Sequence, residues 1–472
     1  MNFWVLEALL LSNFALILLP LEKLTRKLGS LLILVVLALC LVFFLKEDQQ
    51  ALLLLELWDS NFIWSAFVMD RLSVFFAVLT CMLSFLCISL IGSWTFNHGC
   101  YLGCFFFLEL SLVHTFSSTN LLTFYVAFET TLMPMFLLII LWGSRQRKLH
   151  AAYMFFFYTV IGSIFLLAGI IFFYLISGSL IITSLTHLEP GLDFFAYFIW
   201  ACFFVGFAFK VPLVPVHTWL PEAHVEAPTT GSIVLAGLLL KVGTFGMLRF
   251  MLPCLNFLSF RLQVLVYVVA LFSIFYASFV AIRQLDIKKI VAYSSIAHMG
   301  FVVLGLFSLT FFGFVGGYFT MLSHGIVASS LFFLVGVLYD RYKTRNLLYY
   351  GGLASVMPLF SFFFFLFTLA NIGFPFTSNF VGEFYTLLGV VSSNLVVGIT
   401  ALFSIVLAPI YSVWLFNRTF FGQISAHLRG FADLNSIEFY MLVILLCLVL
   451  LGGINPSFIT VYTELEYLKY II

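Results

Sequence analysis

The chain has 472 residues, of which 63% are hydrophobic and only 9% charged. A soluble domain carries about 45–50% apolar and about 25% charged residues, so a soluble fold is excluded and one polytopic membrane domain is expected. A net charge of +1 leaves no electrostatic case for a nucleic-acid partner.

Runs of roughly 20 apolar residues, the length that crosses a bilayer as a helix, recur from end to end. Helices are the expected form because lipid-exposed backbone must satisfy its own hydrogen bonds. The opening stretch, "MNFWVLEALLLSNFALILLP", has neither a basic leading region nor a small-residue cleavage site, and reads as a first membrane helix and not a signal peptide. Fourteen helices are predicted, near 3–20, 29–46, 72–94, 101–118, 121–142, 150–177, 194–219, 227–252, 262–282, 288–308, 311–340, 357–389, 394–420 and 436–455. The eleventh and twelfth are long enough to be tilted or broken. Broad polar connections fall only near 46–61, 183–193 and 421–436.

The basic residues support this count. Lys23, Arg26, Lys27, Arg145, Arg147, Lys148, Arg283, Lys288, Lys289, Arg341, Lys343, Arg345, Arg418 and Arg429 follow odd-numbered helices, 14 of the 21 Lys and Arg. The other side holds five: Lys46, Arg71, Arg249, Arg261 and Lys469. That asymmetry is a positive-inside signal, which places both termini on the outer side.

Five ionisable residues fall inside predicted spans: Glu109, Glu129, Lys210, Lys241 and Glu383. A charge at mid-membrane costs about 2.5–3.5 kcal/mol on insertion scales, and such residues usually face the protein interior, pair and mark an ion path. Kept for packing alone they would be a poor solution, since a buried pair rarely adds net stability. Glu129 sits about halfway along the fifth helix. Lys210 lies in "FAFKVPLVPVHTWLPEAH", where Pro212 and Pro215 break the seventh helix. Burial disfavours its charged form and a nearby carboxylate restores it, so Lys210 beside Glu129 meets the requirement for a switchable proton site.

Lys241 lies in the eighth helix among Gly237, Gly243 and Gly246, which let a neighbouring helix approach. His298 and His324, on the tenth and eleventh helices with serines nearby, titrate in a range suited to a relay. Glu383 follows a second break, where Asn371, Gly373 and Pro375 disfavour a continuous helix. His114 is expected to be a packing residue. His217, Glu222, His224 and Glu226 fit no zinc spacing, and the eight cysteines form no CxxC pair. These four residues read instead as an interior-facing loop admitting protons toward Lys210. The two broken helices stand five apart; with helices 4–8 and 9–13 as repeat units, the odd length of five inverts the second relative to the first, the order of elements expected of a transporter architecture.

The segments "FETTLMPMFLLIILWG", "FKVPLVPVHTWLPEAHVEAPTTGSIVLAGLLLKVGTFGMLRF", "RQLDIKKIVAYSSIAHMG", "SHGIVASSLFFLVGVLYDRYKTRN" and "LANIGFPFTSNFVGEF" resemble the subunit 4 family of NADH dehydrogenase, respiratory complex I. This family, subunit M in bacteria, belongs to the wider antiporter-like proteins, and the resemblance covers roughly residues 70–455. It implies an all-α membrane protein of fourteen helices with three N-terminal helices (1–95), two inverted five-helix repeats (100–252 and 261–420) and a C-terminal helix and tail (421–472). It also implies proton translocation, with Glu129 as the fifth-helix glutamate and Lys210 as the lysine of the broken seventh helix. His217 and His224 match histidines of the inner half-channel, Lys241 the central lysine, His298 and His324 the central-axis histidines, and Glu383 the twelfth-helix carboxylate.

The chain has no GxGxxG loop after a strand, no cluster ligands and no flavin motif. The resemblance therefore implies that NADH, FMN, iron–sulfur clusters and ubiquinone belong to other subunits, with this chain binding no cofactor. The implied neighbours are subunit 2-like and subunit 5-like chains of the membrane arm, with membrane lipids around them. The 62 phenylalanines suit a T-rich organelle genome and hence the mitochondrial inner membrane, with a bacterial plasma membrane as the alternative. Phe376 departs from the family where a small residue follows the proline, as do Arg71 after Asp70, and Ile437. The rival readings are a subunit of a multi-subunit sodium/proton antiporter, a passive scaffold of the complex, and a solute carrier, for which no substrate pocket is evident.

Overall fold

The computed structural model describes residues 10–12, 28–38, 67–91, 97–180, 193–425 and 432–471. Most of the first predicted helix, part of the second, and the polar segment 46–61 lie outside the described residues, as does nearly all of 183–193. Among the described residues ten helices are long and apolar enough to cross a membrane, and Leu28–Ala38, Phe194–Lys210 and Pro358–Ile372 are shorter apolar helices. The extended pairings among them are two isolated bridges, Phe67 with Ser118 and Asp286 with Asn346. The chain divides into two compact units, Met1–Lys210 with Phe245–Leu258, and Val211–Thr244 with Ser259–Ile472.

The first unit contains α1 (Arg71–Leu90), α2 (His98–Ser117), α3 (Leu121–Thr130), α4 (Leu132–Trp142), α5 (Lys148–Ser177) and α6 (Asp193–Lys210). Asn120 caps α3 by accepting from the Leu122 N–H at 2.8 Å. The helix predicted at 121–142 is one apolar span, but it is interrupted at Thr131. Pro134 supplies the reason: it has no N–H to donate to the Thr130 carbonyl, four residues earlier. α6 lies tightly against α5, because a Cβ on Gly206 would sit 3.0 Å from the Gly162 carbonyl oxygen. Arg249, counted from sequence among connecting charges, is buried in this unit. Its guanidinium pairs with Asp70 at 2.6 Å and donates to the Phe116 carbonyl.

The second unit begins with a turn through Pro212 and Pro215, and then α7 (Trp219–Glu226). The seventh helix predicted at 194–219 therefore stops at Lys210, and part of the stretch read as an access loop is helical. α8 (Thr229–Cys254) is a continuous span whose residues to Thr244 belong to this unit and whose remainder belongs to the first; it widens to π-helix at Leu235–Leu239 and again at Met247–Met251, which the periodicity did not reveal. α9 (Gln263–Arg283), α10 (Ile287–Phe307) and α11 (Phe311–Tyr342) follow. Asp286 caps α10 through the Lys288 N–H, and Thr310 caps α11 through the Gly313 N–H. α11 is a single 32-residue helix and not a broken one; its residues are buried almost throughout, so no lipid-exposed backbone has to be repaired.

The twelfth helix is broken into α12 (Pro358–Ile372) and α13 (Ser378–Ser393). Gly373, at φ +77°, closes α12: its N–H bonds the Ala370 carbonyl and the Phe374 N–H bonds that of Leu369. Pro375 then has no N–H to resume the ladder. Phe376 adopts φ +72° with its side chain 70% exposed. This left-handed position is one that glycine takes freely and a bulky residue does not. α14 (Leu395–Phe420), α15 (Ser436–Ile454) and α16 (Ser457–Ile471) complete the unit. α16 extends the C-terminal tail as a helix that the sequence reading did not include. The outer faces of α14 and α15 are apolar and exposed, as a lipid or subunit boundary requires.

Candidate functional site

In the first unit α6 ends by delivering Lys210 into the interruption between α3 and α4. Its ammonium is buried, donates to Thr131 Oγ1 at 3.3 Å and the Phe128 carbonyl at 3.5 Å, and lies 4.0 Å from the centre of the Phe128 ring. A desolvated cation–π contact is worth ~2 kcal/mol. The same interruption thus supplies a hydroxyl, a carbonyl and an aromatic face, all neutral. Glu129, between Phe128 and Thr131 in sequence, is half-buried and within electrostatic reach of Lys210. Among the described residues the two do not close to an ion pair, so their coupling acts through distance and not contact.

Glu109 is buried on α2 and accepts from Ser84 of α1 at 3.1 Å, which ties two helices together. His114 packs locally: Nδ1 is 2.7 Å from the Leu110 carbonyl and its ring meets Phe67 edge-on at 4.9 Å.

In the second unit four helices contribute one row of groups. Lys241 of α8 is 0% exposed. Its Nζ donates to the Ala236 carbonyl at 2.5 Å and lies 2.9 Å from His324 Nδ1 on α11. Ala236 is inside the first π-helical turn, where a carbonyl five residues back comes within reach of the side chain. When Lys241 is an ammonium it has only protons to give, so His324 Nδ1 accepts and Nε2 carries the ring proton. The His324 and His298 rings stand 5.2 Å apart between centres. His298 Nδ1 on α10 is 2.9 Å from Glu383 Oε1 on α13, close but outside hydrogen-bond alignment. Gly316 makes this row possible. A Cβ there would lie 2.3 Å from the Thr386 nitrogen, so α11 and α13 meet backbone to backbone.

His217, Glu222, His224 and Glu226 diverge from one another. His217 meets Tyr276 edge-on at 5.1 Å, and Glu222 pairs with Lys289 at 2.7 Å. His224 stacks flat on Phe332 at 4.2 Å, and Glu226 approaches Arg345 at 3.8 Å. Among the described residues no group of three or more His, Cys, Asp or Glu gathers as a metal-ligand set.

Lys288 is the functional neighbour that the sequence reading missed, having counted it as a loop charge. Its buried ammonium donates to the His224 carbonyl (3.3 Å), the Ala227 carbonyl (3.0 Å) and Ser232 Oγ (3.2 Å). A cation on the carbonyl end of α7 satisfies groups the helix leaves open and holds the backbone that carries His224. The available signal was its place two residues after the cap Asp286, inside the first turn of a helix and not in a connection.

Residues 118–408 match the family described as NADH:quinone oxidoreductase/Mrp antiporter, transmembrane. NADH-ubiquinone oxidoreductase chain 4 of Chondrus crispus is 45% identical over 411 residues, covering 85% of this chain and 83% of that protein. NADH-quinone oxidoreductase subunit M of Rickettsia prowazekii (strain Madrid E) is 42% identical over 393 residues, covering 82% and 79%. A chain of respiratory complex I from Thermus thermophilus with bound NADH matches with a TM-score of 0.88 at 29% identity, over 99% of this chain and 98% of that one. A chain of the Mrp complex from Dietzia sp. DQ12-45-1b matches with a TM-score of 0.80 at 19% identity, over 99% and 98%, a likeness of fold alone.

Proposed function

The chain belongs to the NADH:quinone oxidoreductase/Mrp antiporter membrane family, and from that premise we infer that it is the proton-pumping, antiporter-like membrane-arm subunit of respiratory complex I, of the chain 4 or subunit M type. The redox chemistry of NADH, FMN, iron–sulfur clusters and ubiquinone belongs to other subunits. This chain uses the released energy to move protons.

The observation that carries the mechanism is the buried row Lys241, His324, His298, Glu383. Each member exchanges a proton with the next, directly or through water, and Glu383 passes the charge onward. Glu129 and Lys210 form the controlling half. A change of charge at Glu129 acts on Lys210, whose partners are neutral; two charges beyond ion-pair contact at an effective dielectric of ~20 interact by less than the ~4 kcal/mol of a pair ~4 Å apart. Each ~1.4 kcal/mol of that coupling shifts the proton equilibrium about tenfold. His217 and His224 serve access from the inner side. The two five-helix repeats (100–252 and 261–420) place one broken helix in each half. Subunit 2-like and subunit 5-like chains flank this one, in the mitochondrial inner membrane or, in a bacterial host, the plasma membrane.

The test is Lys241→Ala in the assembled complex. NADH-driven proton uptake into sealed vesicles should fall at least about tenfold, the scale of one lost charge-assisted hydrogen bond. Parental pumping with normal assembly leaves only a scaffold role. Copurification with quinone-reductase subunits separates this reading from a sodium/proton antiporter.

A further inference from the structure

Polar atoms gather beyond Glu383 that the relay does not use. Asn379 lies four residues before Glu383 on α13, so the two share a helix face. It is 0% exposed, and neither its amide oxygen nor its nitrogen has a hydrogen-bond partner among the described residues. Tyr411 of α14 is buried and electrostatically coupled to Glu383, and its hydroxyl also has no such partner. The second oxygen of Glu383 lies against the α12 terminus, where a Cβ on Gly373 would approach it to 2.8 Å. Two side chains from two helices therefore present unpaired donors and acceptors, Asn379 one helical turn from Glu383 and Tyr411 within its electrostatic reach, near a helix break.

Buried polar atoms are nearly always paired with protein or with ordered water. An amide left unpaired loses the full solvation of its donors and acceptor, and a leucine of similar size would serve packing better. Asn379 and Tyr411 therefore have the chemistry of a small hydrated chamber and not of a packed core. We propose that Asn379 and Tyr411 are positioning residues that hold a water chain at the α12–α13 break and through it conduct the proton leaving Glu383. This rests on the reading of Glu383 as a relay member. In the step, the Glu383 carboxylic O–H breaks as a water oxygen takes its proton, leaving the carboxylate. That water passes one of its own protons to the next water, while Asn379 and Tyr411 orient the oxygens and keep their own protons.

The test compares Asn379→Leu, Asn379→Ser, Tyr411→Phe and Glu383→Gln in the assembled complex. The readouts are NADH-driven proton uptake in vesicles, quinone-reductase rate, heat stability and assembly on native gels. Asn379→Leu should assemble with unchanged or higher heat stability yet lower pumping roughly three- to tenfold, the scale of one hydrogen bond. Asn379→Ser, which keeps a polar group and room for water, should retain most of the pumping, and Tyr411→Phe should lower it. Parental pumping by Asn379→Leu and Tyr411→Phe overturns the proposal. Where Asn379→Leu fails to assemble, Tyr411→Phe decides: reduced pumping supports the water chain and a parental rate overturns it. Parental pumping by Glu383→Gln overturns the underlying relay itself. Impairment of Glu383→Gln alone removes only the water chain.

Discussion

Gly316→Ala should uncouple the complex without touching any titratable group. The added Cβ would lie 2.3 Å from the Thr386 nitrogen and 2.7 Å from the Tyr385 carbonyl carbon, where ordinary contact begins at 3.4 Å. Both obstacles are backbone, so no rotamer change relieves the clash, and α11 must move from α13 by ~1 Å, at an overpacking cost of about 1–3 kcal/mol. His324 lies eight residues further along the same helix and moves with it. A shift of ~1 Å with its component along the His324–Lys241 contact carries its Nδ1 from 2.9 Å out of hydrogen-bond range of Lys241. A hydrogen bond to a charged group contributes ~1.5–3 kcal/mol, so proton transfer at that step should slow by about 10- to 150-fold. The assay is the ratio of NADH-driven proton uptake to quinone reduction in sealed vesicles, with assembly followed on native gels. Thr386→Ala should not rescue Gly316→Ala, because trimming the side chain leaves the backbone nitrogen in place. An assembled Gly316→Ala complex that pumps at the parental ratio would refute the reasoning.

Three further outcomes follow from the same geometry. Phe376→Gly should raise resistance to heat or denaturant by ~1 kcal/mol, since left-handed backbone costs a bulky residue ~1–2 kcal/mol and flexibility returns part of that; lower stability would contradict the strained turn. Lys288→Met leaves the His224 and Ala227 carbonyls without their cation and should cost about 1–3 kcal/mol, seen as faster amide exchange in peptides covering Trp219–Glu226. Thr131→Val removes the hydroxyl that Lys210 uses and should lower pumping by roughly three- to tenfold, while Thr131→Ser should restore it; equal rates for the two variants would exclude a role for that hydroxyl.

Some of this was legible along the chain. Lys241 and Glu383 stand out because a charge among apolar residues is costly wherever the chain goes. The breaks at Pro212 and Gly373 are equally local, since a missing N–H or a left-handed turn is a property of one residue. Lys288 and Asn379 were not legible. A lysine near a connection and an asparagine in a helix are unremarkable until the groups around them are known. The bend at Thr131 was hidden inside an apolar run whose hydropathy is that of an unbroken span.

The sequence by itself determined that this is a multi-span helical membrane chain, that two of its helices break, near Pro212 and Gly373, and that Glu109, Lys210, Lys241 and Glu383 carry ionisable groups into the spans. Those follow from transfer energies and backbone valence, which act residue by residue. Only the tertiary structure decided the partners. Lys241 meets His324 at a separation of 83 residues, and Lys210 rests on Phe128 and Thr131 instead of pairing with Glu129. Hydrogen bonds and Coulomb energies depend on distances of a few ångströms in space. Helical periodicity specifies only which face a residue occupies, and the close approach at Gly316 specifies what that face will meet.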